Sequence, residues 1–252
     1  MRRPSRFALG LGAAALLAFG VRLALGLAAD VPNGLGDDVW YHWVANGLVD
    51  GRGFSDPFHS LGPHGLVFGS AGKPLPTAFH PPLFPVLLAG FSEVGLRSYT
   101  AHQAVGWALG AGTVVVLGLI GRRLAGERAG LLAALAGALY IPMAINDALL
   151  RSESLYGLAI ALVVLAAIHF RELPGARRSA LLGAAIGVAA LTRAEAIVLV
   201  VLLAPLVLRA APNRWRLLAA SAAAAAVLVV PWSVRPRSSS TGRCSSPPRT
   251  GR

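Results

Sequence analysis

Long apolar runs alternate with short polar connections along this chain, and the spacing of that alternation is the first thing to explain. A helix needs roughly 17 to 25 mostly apolar residues to cross the hydrocarbon layer of a bilayer. Runs at residues 7–29, 102–121, 129–145, 154–170, 179–191, 196–208 and 217–232 are predicted to span, the fifth and sixth being short enough to leave their ends loosely defined. Between the first two lies a long connection, residues 30–101, containing "FHPPLFPVLLAGFSEVG" at 79–95. Its apolar part is short and carries three prolines, so it either spans or lies along the surface.

Basic residues arbitrate between those two arrangements. With "MRRPSR" cytoplasmic and the Pro-rich piece not spanning, Arg122, Arg123 and Arg128 fall inside, as do Arg171, Arg177, Arg178, Arg209, Arg214 and Arg216. Asp30, Asp37, Asp38, Asp50, Asp56, Glu93, Asp147, Glu153 and Glu195 then fall outside, with Glu127 and Glu172 the acids left on the cytoplasmic side. Making the Pro-rich piece a span would reverse every later loop and destroy this separation. The pattern therefore predicts an all-α integral membrane protein of about seven transmembrane helices. Its long first outer loop carries short interfacial helices.

Composition agrees with that class: 55% of residues are hydrophobic, 13% are charged, and the mean hydropathy is +0.63. A net charge of +12 raises the question of nucleic acid, but the basic residues form small clusters between apolar runs and no continuous stripe. No nucleic-acid partner is expected; the lipid bilayer is. The single cysteine, Cys244, excludes an internal disulfide framework. A cleaved signal peptide is the competing reading of the N-terminus, with "LAAD" resembling a cleavage site, but the apolar run exceeds the usual length of roughly 7 to 15 residues and contains Arg22.

The folded topology brings acids and arginines to one membrane face. The first outer loop carries Asp37, Asp38 and His80; "INDALLRSES" carries Asp147, Arg151 and Glu153; "ALTRAEA" carries Arg193 and Glu195. Cations for a phosphate and a carboxylate to take a proton are what a membrane enzyme acting on a charged, lipid-attached substrate requires.

These segments also resemble a known family. "GDDVWYHWVANGLVDGRGF", "FHPPLFPVLLAG", "RSESLYGLAIAL", "LTRAEAIVLVVLLAP" and "PWSVR" follow one another over about residues 1–235 in the order found in the GT-C membrane glycosyltransferases. That group includes the protein O-mannosyltransferases and the lipid A aminoarabinose transferase. The resemblance implies transfer of a sugar from a polyprenyl-phosphate donor to an acceptor hydroxyl on a glycan, lipid or protein, at the outer face of the cytoplasmic membrane. It also implies that an acid of the first outer loop acts as general base or helps hold a metal. Asp37 and Asp38 occupy the matching place, Asp37 the closer match as base, which leaves room for a divalent metal at the pair. His80, directly before the Pro-Pro pair, stands where a phosphate-contacting cation is expected; Arg193 and Lys73 are further candidates. Tyr41, Glu153 and Glu195 are expected to support the site.

Each of these residues has a plainer reading. Asp37 and Asp38 could cap a surface helix beginning near Val39, although a cap needs one acid. Trp40, Tyr41 and Trp43 read as interfacial aromatics anchoring that helix. His80 could precede a rigid turn, Glu153 could cap the fourth span, and Arg193 with Glu195 could be a local ion pair. His42, His59, His64 and His102 show irregular spacing and no partner pattern. The alternative function is a non-enzymatic carrier of lipid or solute, for which inverted repeats and polar groups at span centres would be expected; neither is apparent.

Residues 236–252, "PRSSSTGRCSSPPRTGR", have no apolar periodicity and are expected to be a disordered tail. They replace the further loop and spans of the resembled family, which suggests a frameshift or truncation near Arg235 and, with it, an inactive fragment as a further alternative.

Overall fold

The computed structural model describes residues 5–29, 36–58, 61–62, 65–66, 76–209 and 213–234. Lys73 and the tail at 236–252 lie outside them. Helices α1 (Arg6–Ala28), α2 (Asp37–Val49), α3 (Leu83–Glu93), α4 (Tyr99–Leu139), α5 (Ile141–Ala148), α6 (Glu153–Glu172), α7 (Ala176–Thr192), α8 (Val198–Arg209) and α9 (Arg214–Ser233) account for nearly all of the described chain. A two-residue antiparallel pairing, β1 (Leu61–Gly62) with β2 (Gly65–Leu66), lies in the connection between α2 and α3.

Four helices, α1, α4, α6 and α9, are long and apolar enough to cross a membrane. The seven predicted runs map onto this set with three corrections. The second and third runs are one continuous assignment, α4, broken where Ala125 (φ −147°) and Gly126 (φ 87°) leave helical geometry. Only glycine takes that positive φ without strain, so the break falls at Gly126. The two arms fold back on each other: a Cβ at Gly121 would meet the carbonyl of Ala129, and one at Gly130 would meet that of Gly118. Close approach of backbones at small residues is how apolar helices associate where no hydrophobic difference drives them together.

The second arm stops at Leu139 instead of running on to residue 145, because Pro142 has no N–H for the carbonyl four residues back and its ring crowds that carbonyl; the chain leaves helical geometry at Tyr140 and restarts as α5 with the proline in its first turn. The sixth run is likewise split into a four-residue 3₁₀ turn (Ala194–Ile197) followed by α8, only 12 residues long. α3, the Pro-rich piece, has 11 helical residues, about 16 Å at the helical rise, roughly half the hydrocarbon thickness.

Hydrophobic packing joins these elements in three clusters. α1 packs along α4 through Phe7, Leu11, Ala14 and Ala18. α6, α7, α8 and α9 share a second cluster around Phe170, Leu182 and Ile186. α2 lies on α3 and the start of α4 through Trp40, Tyr41, Val44, Phe84 and Leu88. Trp40 and Tyr41 are therefore core residues, and of the three aromatics read as interfacial anchors only Trp43 is exposed.

Charges mark the two ends of the bundle. Arg122, at the α4 break, lies over the ring of Phe7 and pairs with Glu127, while Arg123 pairs with Glu172 at the end of α6. The opposite end carries Asp37, Glu153, Arg193 and Glu195.

One acid does not stay on that face. Asp147 is buried inside the bundle, where Arg22 Nε donates to its Oδ2 at 2.7 Å. A charge on α1 inside an apolar run demands such a partner, because an isolated buried ion is prohibitively costly. Gly110 leaves room for the pair; a Cβ there would overlap both Asp147 and Arg22.

Candidate active site

Asp37 and Asp38 open α2. Neither is its N-cap: Gly36 holds that position, without a side-chain cap bond, and both acids sit in the first turn. There the helix dipole favours their charge. Adjacent helical positions point about 100° apart, and the pair divides accordingly. Asp38 Oδ2 accepts a 2.9 Å hydrogen bond from Tyr99 on α4, whereas Asp37 is exposed and lines a cavity. One helical turn on, the same face of α2 presents Tyr41 to that cavity.

The cavity encloses about 240 Å³ between α2, the Phe79–Pro81 stretch, the start of α6 and the turn after α7, with Ser152, Thr192, Arg193 and Glu195 completing its polar wall. Phe79, Pro81 and Ala194 also border an adjoining space of about 340 Å³ whose other walls include Leu191, Ile197, Val229 and Trp232. A polar chamber thus continues directly into an apolar groove.

Hydrogen bonding across the chamber has a fixed direction. Ser152 Oγ reaches Glu153 Oε2 at 3.5 Å, and a carboxylate only accepts, so Ser152 receives its 3.1 Å bond from Tyr41. Tyr41 O in turn accepts from His80 Nδ1 at 3.3 Å. Burial pushes the Tyr41 hydroxyl up to about 12, with the neighbouring Ser152 bond opposing and Asp37 adding to the rise, which keeps the phenol protonated. Burial also pushes the His80 imidazole below its ordinary range, against the opposite pull of Asp37. A neutral His80 with its proton on Nδ1 turns the lone pair of Nε2 towards Asp37 Oδ1, 3.6 Å away.

Arg193 supplies the chamber's positive charge. Its guanidinium donates to Glu153 at 2.7 Å and Glu195 at 3.3 Å and lies 5.9 Å over the Tyr156 ring. Glu195 is thus not merely a turn residue beside Arg193, since Glu153, 40 positions away, shares the same cation. Leu150, just before this segment, is buried with φ 51°, a left-handed conformation that costs a leucine of order 1 kcal/mol or more and is held by the surrounding core.

Of the predicted site residues, the structure brings together Asp37, Tyr41, His80, Glu153, Arg193 and Glu195, and turns Asp38 away from them. Phe79, Ser152 and Thr192 also line the chamber and were not anticipated; small hydroxyls beside a charged motif leave no signal in one sequence. Among the described residues, no three His, Cys, Asp or Glu side chains stand at metal-binding spacing. Asp37 and Asp38 face different neighbours, so the pair does not form a shared ligand set as it stands.

An all-helical membrane protein with an ionic chamber at one end of its bundle is the class defined by these features. Residues 79–234 match the profile of the dolichyl-phosphate-mannose-protein mannosyltransferase family, and the chain belongs to that family. It is accordingly a membrane glycosyltransferase. The match takes in His80, Glu153, Arg193 and Glu195 and begins after the acidic pair of α2. No curated protein matches the chain, and no solved structure does.

Proposed function

We propose that the chain transfers a sugar from a polyprenyl-phosphate donor to an acceptor hydroxyl, in the chamber between α2 and the Arg193 turn, at the outer face of a cytoplasmic membrane crossed seven times. The observation that carries this reading is the junction of a polar chamber holding Asp37 and Arg193 with an apolar groove, a shape suited to a ligand that is ionic at one end and hydrocarbon at the other. Family membership supports the reaction class.

In this reading Asp37 is the general base. As the acceptor oxygen forms its bond to the anomeric carbon, Asp37 takes the hydroxyl proton while the carbon–oxygen bond to the lipid phosphate breaks. Arg193 stabilises the departing phosphate, and Glu153 and Glu195 hold the guanidinium in place. His80, kept neutral by burial, donates from Nδ1 to Tyr41, which carries the hydrogen bonding on to Ser152 and Glu153 and leaves the Asp37 carboxylate free to take a proton. Asp38 anchors the first turn through Tyr99.

The test is transfer by the purified full chain with a panel of polyprenyl-phosphate sugars, read by mass spectrometry of the released lipid phosphate. Asp37→Asn keeps the size of the side chain and removes the proton acceptor, so turnover should fall by about 10² to 10⁴ with donor affinity little changed. Full turnover in a folded, donor-binding Asp37→Asn protein would remove Asp37 from this role. The orientation is tested separately in Cys244→Ser protein: a cysteine at Asp50 should react with an impermeant thiol reagent from outside the cell, and one at Arg177 should not. External labelling at Arg177 would overturn the seven-span topology.

A further inference from the structure

Behind the face of α2 that meets the chamber, a second polar stripe, Asp38, His42 and Asn46, repeats at helical spacing and points into protein instead of solvent. His42 Nδ1 lies 3.1 Å from His102 Nδ1 on α4, and His102 Nε2 lies 2.9 Å from Ser92 Oγ on α3. Ser92 Oγ donates to Asn46 Oδ1 at 2.8 Å, and Asn46 Nδ2 lies 3.4 Å from His42 Nε2. His102, Ser92 and Asn46 are buried. The four side chains close a circuit joining three helices.

Only one arrangement of protons satisfies it. Asn46 Nδ2 also donates to the Arg97 carbonyl at 3.2 Å, which fixes the orientation of the amide. An amide nitrogen only donates, so His42 Nε2 must accept, and a neutral His42 then carries its proton on Nδ1. That proton goes to His102 Nδ1, leaving the His102 proton on Nε2 for Ser92, whose own hydrogen returns to Asn46. Every donor meets an acceptor around the ring. A further proton on either imidazole would set two N–H groups against each other at 3.1 Å or against the Asn46 amide.

We infer that His42, His102, Ser92 and Asn46 form a closed hydrogen-bond ring, filled only when both imidazoles are neutral, that positions α2 and thereby Asp37. The four are positioning residues; their effect on transfer rests on the function proposed above, whereas the ring itself does not. The charged and titratable groups around it are Asp38 and Tyr99, which bond each other beside His42, and Arg97, paired with Asp50 at the end of α2; Glu93, next to Ser92, is exposed. Burial holds the His42 imidazole below its ordinary value of 6.5, consistent with a neutral ring. The sign follows: a folded-state value below the unfolded one gives stability that is complete above about pH 6.5 and is lost as pH falls through the folded value.

Nitrogen NMR of the full chain in lipid nanodiscs, with labelled histidine and with His59, His64, His80 and His169 changed to Gln, reads the two remaining imidazoles directly. One should be protonated at Nδ1 and the other at Nε2, with a scalar coupling between two ring nitrogens. Two Nε2-protonated rings, or a charged ring near neutral pH, would overturn the ring. In the unsubstituted protein, amide exchange across α2, corrected for its intrinsic pH dependence, should rise about tenfold or more between about pH 8 and about pH 5. Exchange that ignores pH, or that responds equally in Ser92→Ala, would overturn it. His42 and Ser92 do not touch, yet His42→Gln and Ser92→Ala should be far from additive, because either one opens the same circuit; additive effects would mean separate bonds. If the protein transfers sugar, Ser92→Ala should lower kcat about tenfold with donor KM unchanged, and an unchanged kcat would remove the positioning role while leaving the NMR result to stand or fall alone.

Discussion

Arg22 with Asp147 and Arg193 with Glu153 are ion pairs of the same length, 2.7 Å, in opposite surroundings. The first is 0% and 2% exposed, the second 35% and 39%. Length alone would rank them as equals. Burial separates their roles. A pair sealed inside the bundle is out of reach of a ligand and serves to fix α1 against α5, whereas a pair bordering a chamber can exchange part of its bonding for a ligand's. The open pair also shares its cation among two carboxylates, which leaves the guanidinium oriented but not hidden.

Breaking the buried pair should have the largest effect. Asp147→Asn leaves a buried guanidinium without its counter-charge, a loss of about 3 to 5 kcal/mol measurable by thermal unfolding in detergent. Joint replacement by apolar residues, Arg22→Met with Asp147→Leu, should recover most of it. Loss of transfer in a stable double variant would show that the pair does more than hold helices together. Arg193→Gln tests the open pair. It should lower kcat/KM for the lipid-linked donor about 10- to 100-fold, the worth of a charge-assisted hydrogen bond at a phosphate, while the unfolding temperature scarcely moves. A large stability loss there would erase the contrast between the two pairs. Smallest of all should be Arg123→Gln at the opposite end, where the partner Glu172 is 41% exposed and the pair is open to water. About 0 to 1 kcal/mol of stability and no change in transfer are expected.

Much of the candidate site was legible because its residues carry charge beside apolar runs, where charge is costly and therefore informative. Asp37, His80, Glu153, Arg193 and Glu195 were all anticipated on one face; four of them line one chamber, and Glu153 is held beside it by Arg193. Asp147 was misplaced because its partner lies 125 residues away, and a loop acid looks the same in sequence whether it faces solvent or a buried arginine. Arg22 held the missing signal: a cation inside an apolar run needs an acid at its own depth. The histidine ring escaped notice for a related reason. An Asp-His-Asn stripe at helical spacing reads as a wetted surface, and only the fold reveals that α3 and α4 cover it. Helix ends were read well where glycine or charge marks them and poorly at Pro142, whose effect depends on whether the neighbouring helix tolerates a kink.

The turn at Gly126 bears on how the chain enters a bilayer in the first place. Between Tyr99 and Ile145 every formally charged side chain belongs to Arg122, Arg123, Glu127 or Arg128, around the turn, and the arms on either side carry none. A hairpin of that kind can partition from the translocation machinery into lipid as one unit, arms first buried against each other, without a single ion passing through hydrocarbon. In the topology proposed above, the guanidinium groups at its tip act as a brake, keeping the turn on the side where it was synthesised and setting the direction in which the next segment must be threaded.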